Sequence, residues 1–118
     1  YIDDLVRGMR LLIDAIPDSL QPLVDSFNSV DSKSSVAPFR VVNIGNSKPE
    51  KLTDFIEAIE KSIGTKAIKN FLPMQAGDVP STWADTSLLK HLTDYKPNTD
   101  LSVGVQQFVT WYRKYYSV

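Results

Sequence analysis

The stretch Phe39-Arg40-Val41-Val42-Asn43-Ile44-Gly45-Asn46, running straight into Ser47-Lys48-Pro49-Glu50 and on to Gly64, decides the fold class. Its first six residues are a short apolar and β-branched run ended by Gly45-Asn46, which predicts a strand buried on both faces, the type found in parallel sheets. Ser47 stands three residues before Glu50, the spacing of a capping box, and Pro49 suits a first helical turn. Leu52, Phe55, Ile56, Ile59 and Ile63 then recur at helical spacing as one stripe predicted to face a core, with Gly64 placed to end the helix. A strand feeding an amphipathic helix predicts an α/β fold.

Downstream, Ala67 to Leu72 alternates weakly and predicts a second short strand, which delivers the chain to Leu72-Pro73-Met74-Gln75-Ala76-Gly77-Asp78-Val79-Pro80-Ser81-Thr82-Trp83-Ala84-Asp85. This run is too punctuated by Gly and Pro for helix or strand, and polar groups gather in it. Gly77 can adopt positive φ and let a ligand approach the backbone, Pro73 and Pro80 stiffen both shoulders, and Asp78 is a pure acceptor suited to two neighbouring hydroxyls such as a ribose diol. A plainer reading makes it a surface loop in which Asp78 caps its own turn.

Asp85 is placed to cap a helix bearing Leu88, Leu89, Leu92 and Tyr95, ending before Lys96-Pro97. His91 on that helix has no second His, Cys or spaced carboxylate beside it and reads as a solvated residue. Thr99 is predicted to open a last helix with Val105, Phe108, Val109, Tyr112 and Tyr116 near one face and Arg113-Lys114 at its negative end. Trp111 reads as a packing anchor, as does Trp83, which could also wall a sugar pocket. Upstream, Asp3 or Asp4 can cap a helix with a stripe of Leu5, Val6, Met9, Leu12, Ile13 and Ile16, which Pro17 stops. Residues 17–38 hold Pro17, Pro22, Pro38 and a Ser/Asp run without periodicity, and predict a long mobile connection.

One small domain fits the 118 residues. A net charge of −1, with 13 Lys and Arg scattered rather than striped, argues against nucleic acid or anionic lipid as partner. Without Cys there is no disulfide or thiolate metal site, and no apolar run is long enough to span a membrane. The chain opens without Met or a leader pattern, in what reads as the middle of a segment, so a fragment is expected. No nucleophile, base and orienting group can be assembled, no HExxH occurs, and the glycines form no GxGxxG turn. No catalytic, cofactor-binding or metal residue is therefore assigned.

Met74-Gln75-Ala76-Gly77-Asp78-Val79-Pro80, followed by Thr82 and Ala84-Asp85, resembles the loop near the C-terminus of NAD-dependent nucleotide-sugar epimerases. These are extended short-chain dehydrogenase/reductases, and the nearest likeness is to bacterial UDP-glucuronate 4-epimerases. Tyr1-Ile2-Asp3-Asp4-Leu5-Val6 resembles the family's segment that opens a helix after the substrate loop, and Phe39 to Asn46 resembles its late strand. With Phe108-Val109-Thr110-Trp111-Tyr112-Arg113 the blocks follow one another in order over nearly the whole chain.

The resemblance implies an α/β C-terminal substrate-binding lobe, residues 1–118, with about four helices and two or three short strands. It implies that a Rossmann domain with NAD, a Tyr-x-x-x-Lys pair and a hydroxyl residue lie outside this sequence. The implied reaction oxidises the sugar at C4 by hydride transfer to NAD, turns the ketone over, and returns the hydride to its other face. Asp78 would accept the uridine ribose hydroxyls and Gly77 would give backbone access. Gln75 stands where galactose-type epimerases carry an Arg against the diphosphate, which favours the glucuronate type, and Ala76 stands where the family usually has Pro. The other diphosphate-binding Arg of the family comes just before the segment that starts at Tyr1. Expected partners are a UDP-sugar and further copies of the chain in a homo-oligomer, in the cytoplasm, with no nucleic acid and no membrane. Left open are a sibling dehydratase or decarboxylase and a non-catalytic binding or interaction module.

Overall fold

Four helices make up the regular structure of the residues that the computed structural model describes, namely 1–17, 32–34 and 36–118. They are α1 (Ile2–Asp14), α2 (Leu52–Ile63), α3 (Ser87–Thr93) and α4 (Leu101–Tyr116). The connection expected over 17–38 lies for the most part outside the described residues. Two compact units divide the chain, one made of Tyr1, 48–82 and 99–118, the other of 2–47 and 83–98.

No strand forms among the described residues, which corrects the α/β expectation. A ladder needs a second edge, and neither expected strand finds one. Along 40–44, Arg40, Val42 and Ile44 are half-buried while Val41 and Asn43 are exposed, so one side faces inward rather than both. The backbone of Val41 is satisfied by a side chain instead: the Ser32 hydroxyl accepts its N–H at 3.0 Å and donates to its carbonyl. Ala67 to Leu72 forms no regular structure, and Ile68, Phe71 and Leu72 are fully or largely exposed.

In the first unit α2 packs on α4. Val105 and Val109 are buried there, and Ile56, Ala58 and Ile59 are half-buried on the helix opposite. The expected stripe is covered only in its middle, since Leu52, Phe55 and Ile63 are exposed. The capping box is corrected too. Ser47 has φ 56, Glu50 pairs with Lys48 at 2.9 Å, and the helix starts after Lys51, with Asp54 in its first turn. Phe108, assigned to the inner face of α4, instead joins Trp111 and Tyr115 on an outer one. The last helix opens after Asp100, one residue beyond the Thr99 expected.

In the second unit α1 packs on α3. The apolar stripe expected to bury α1 points outward: Leu5, Val6, Met9, Ile13 and Ile16 are exposed, and the helix ends at Asp14 before Pro17 is reached. Facing inward are Asp4, Gly8, Leu11, Leu12 and Ala15, spaced along one helical face. Gly8 explains the choice. A Cβ there would stand 3.1 Å from Ile44 Cγ2 and 3.8 Å from Leu89 Cδ2, so the missing side chain lets both residues seat on the helix backbone. Leu89 is thereby fully buried. Asp3 and Asp4 lie in the first turn of α1, which begins at Ile2, and the Asp4 carboxylate accepts the hydroxyl of buried Tyr95 at 2.8 Å, with the Arg7 guanidinium 4.9 Å over the same ring.

Candidate functional site

Gln75, Gly77 and Asp78, the three residues the sequence nominates, occupy one exposed turn of the first unit. The Asp78 N–H donates to the Gln75 carbonyl at 3.2 Å, which closes the turn, and Gly77 in its third position has φ +93. Positive φ at that position is what a type II turn requires, and its second position, here Ala76, is the one where Pro is common. Nothing lies within 4 Å of where a Gly77 Cβ would be, so the backbone is open to an approaching group. Among the described residues the Asp78 carboxylate takes no hydrogen bond or ion pair, so only its backbone serves the turn. An acceptor pair, an amide and an accessible backbone can bind hydroxyls.

The root of this loop is held by a residue that sequence reading passed over. Glu60, on the last turn of α2, is only 4% exposed. Its Oε2 accepts Lys66 Nζ at 2.7 Å, and its Oε1 accepts Lys69 Nζ at 3.0 Å and the Ala67 N–H at 3.1 Å. The Lys66 and Lys69 ammonium groups, then the Ala67 amide, hold the Glu60 carboxyl down at about 2, well below its ordinary 4.5. Glu60 also pushes the Lys66 ammonium upward, first through their hydrogen bond. The available signal was two lysines six and nine residues beyond a glutamate, with the turn at Gly64 between them. Gly64 has φ +83 and its N–H donates to the Glu60 carbonyl at 2.8 Å, so the chain reverses there and runs back past the carboxylate.

The far end of the run, Trp83 to Asp85, belongs to the second unit. The N-cap of α3 is Thr86 rather than the Asp85 expected; Asp85, one residue earlier, accepts the Ser87 N–H on its Oδ1 at 2.9 Å, which holds its carboxyl below the usual range. Asn43 Nδ2 donates to the Asp85 carbonyl at 3.2 Å, and the Ser47 hydroxyl meets that of buried Thr86 at 2.5 Å. Trp83 and His91 are both exposed. Tyr95 lies one residue past the C-cap of α3, and burial first, then the Asp4 hydrogen bond, pushes its phenol upward. No three His, Cys, Asp or Glu among the described residues converge on a possible metal position. None of their helices is long and apolar enough to cross a membrane.

No family model matches the chain. A probable UDP-glucuronate 4-epimerase of Rhizobium meliloti (strain 1021) is 45% identical over 116 residues, which are 98% of this chain and 34% of that protein. Protein CapI of Staphylococcus aureus is 42% identical over 98% of this chain and 34% of its own length. UDP-glucuronate 4-epimerase 4 of Arabidopsis thaliana is 39% identical over 99% of this chain and 25% of its own length. The chain thus spans between a quarter and a third of the length of these relatives. Likeness of 37 to 45% sustained along nearly every residue, in bacterial and plant proteins alike, shows that this chain belongs to the UDP-glucuronate 4-epimerase family and matches the C-terminal part of its members.

Proposed function

We propose that the chain is the substrate-binding part of an NAD-dependent UDP-sugar 4-epimerase of the UDP-glucuronate/UDP-galacturonate type. In this reading Asp78 accepts the ribose hydroxyls of the nucleotide, Gly77 gives backbone access, and Gln75 offers its amide near the diphosphate. The observation that carries it is the Gln75–Asp78 turn, which presents an unengaged carboxylate beside an open glycine in a chain whose relatives are named for a UDP-sugar. Gln75, an uncharged residue where galactose-type epimerases carry an Arg, supports the glucuronate type.

The described residues do not fit NAD. Dinucleotide sites use glycines to open a helix against the pyrophosphate. Here Gly8 and Gly104 lie inside helices, Gly64 ends one, and Gly45 and Gly77 lie in loops that do not lead directly into a helix. NAD and the acid/base chemistry are accordingly proposed for the whole protein. So are the homo-oligomer and the cytoplasmic location.

The test is isothermal titration of the full-length protein with UDP and with the UDP-sugar. Asp78→Ala should weaken both by roughly 1.5–3 kcal/mol, the range for a hydrogen bond to a charged group. That is about 10- to 150-fold, and it should fall on KM more than on kcat, because the ribose contact is the same in ground and transition states. Unchanged UDP affinity would return Asp78 to the role of an ordinary loop carboxylate.

A further inference from the structure

Glu60 stands in a place where a carboxylate is doubly disfavoured. It lies at the negative end of the α2 dipole, and it is buried. A structure keeps such a charge only where its partners are fixed closely around it. All three of its donors come from Lys66, Ala67 and Lys69, the first residues beyond the reversal at Gly64. Two further contacts hold that reversal: the Gly64 N–H closes on the Glu60 carbonyl, and an Arg113 Nη2 from α4 donates to the Ile63 carbonyl at 2.7 Å. A guanidinium at a helix C-terminus also satisfies an orphan carbonyl and opposes the dipole.

Beyond Lys69 the support stops. Residues 70–74 form no hydrogen bond to any described residue, and Phe71, Leu72 and Met74 are exposed. The next bond along the chain is the one that closes the Gln75–Asp78 turn. Among the described residues of its unit, the turn is therefore tethered upstream through the Glu60 carboxylate.

We propose that Glu60 is a positioning residue for the Gln75–Asp78 turn, fixing the root of the loop so that Asp78 and the Gly77 backbone are held in place for the nucleotide before it arrives. The inference rests on reading that turn as the nucleotide-sugar site. A pre-ordered loop binds more tightly because less ordering is left for the ligand to impose. Glu60 itself touches no substrate.

The experiment uses the full-length protein with Glu60→Gln, which keeps the shape and removes the charge. Hydrogen exchange read by mass spectrometry should speed at least tenfold at the Ala67 and Asp78 amides, the two within 66–78 that are hydrogen-bonded to described residues, and stay unchanged in α4. At a temperature well below Tm, UDP affinity should fall about five- to tenfold, with KM for the UDP-sugar rising and kcat within twofold. Should Glu60→Gln fail to fold, Lys69→Met removes one of the three donors and should show the same pattern more weakly. A lower Tm with unchanged exchange at those two amides, or faster exchange there with unchanged UDP affinity, would overturn the proposal. Asp78→Ala in parallel separates the two readings. If it leaves UDP affinity unchanged the site itself is misassigned, whereas if it weakens UDP and Glu60→Gln does not, only the positioning role fails.

Discussion

The aromatic face of α4 supplies a prediction whose size can be worked from the structure. Phe108, Trp111 and Tyr115 follow one another along the helix and are 54%, 52% and 67% exposed. Ring contacts of 5.8 and 5.3 Å connect them, and Tyr112 and Tyr116 flank them, so the patch is continuous. Rings of this kind carry about 150–250 Å² each, so five half-exposed ones leave about 500 Å² open, near the top of the range for a monomer. Two copies meeting on this face would cover about 1,000 Å², the lower bound for a specific interface. At about 25 cal/mol per Å² that is at most about 25 kcal/mol. Lost freedom of motion takes about 4–15 kcal/mol, and fixing the rings at about 0.5–1 kcal/mol each takes another 5–10. The remainder centres on about 8 kcal/mol, a Kd of order 1 μM, which drying the tyrosine hydroxyls weakens toward tens of micromolar. Sedimentation velocity of the 118-residue chain should therefore show a monomer–dimer equilibrium across about 1–200 μM. Trp111→Glu should shift it to monomer with no loss of helical circular dichroism, because the residue is exposed. A wild-type chain that stays monomeric at about 200 μM, or a Trp111→Glu chain that associates as well as the wild type, would refute the reasoning.

Leu89→Ala should destabilise the chain by about 2.5–4 kcal/mol in urea denaturation, since three buried carbon groups are lost and a cavity is left against Gly8 and Ile44. Ile13→Ala, on the outward face of α1, should cost under about 0.5 kcal/mol; a large loss there would mean that α1 faces the other way. The depressed Glu60 carboxyl sets an acid window. Because the folded state holds it near 2 against an ordinary 4.5, its contribution is complete above pH 4.5 and disappears as pH falls through that interval. Urea midpoints of wild type and Glu60→Gln should converge between pH 4.5 and 2, and a gap constant over that range would contradict the assignment.

Helix existence was legible along this chain, and helix orientation was not. Apolar periodicity located all four helices, Gly64 marked the end of α2 and Asp85 the start of α3 to within one residue. The face of α1 is not legible because a stripe of large residues reads as the buried one, whereas Gly8 buries by omission and leaves no hydrophobic signal. Strands failed for a different reason. The run Phe39 to Ile44 has strand composition, but pairing is a property of two segments, and Val41 here bonds to the side chain of Ser32. The site residues could be nominated because Gly and a following Asp state their backbone needs locally. Glu60 could not, since a helix glutamate looks solvated until the chain is seen to turn back over it.

The two units are interleaved along the sequence: 2–47 must wait for 83–98, while the other unit takes 48–82 and 99–118 between and after them. On a ribosome adding about 5–20 residues per second, α1 emerges some 4–16 s before α3 exists to cover Gly8. Closing the loop from Asp4 to Tyr95 then costs about 2 kcal/mol more in chain entropy than closing one of a dozen residues. No cut at a single point separates the units: a truncation after Ser47 would take 83–98 from the second unit and leave that segment, without the residues it packs on, between the two halves of the first.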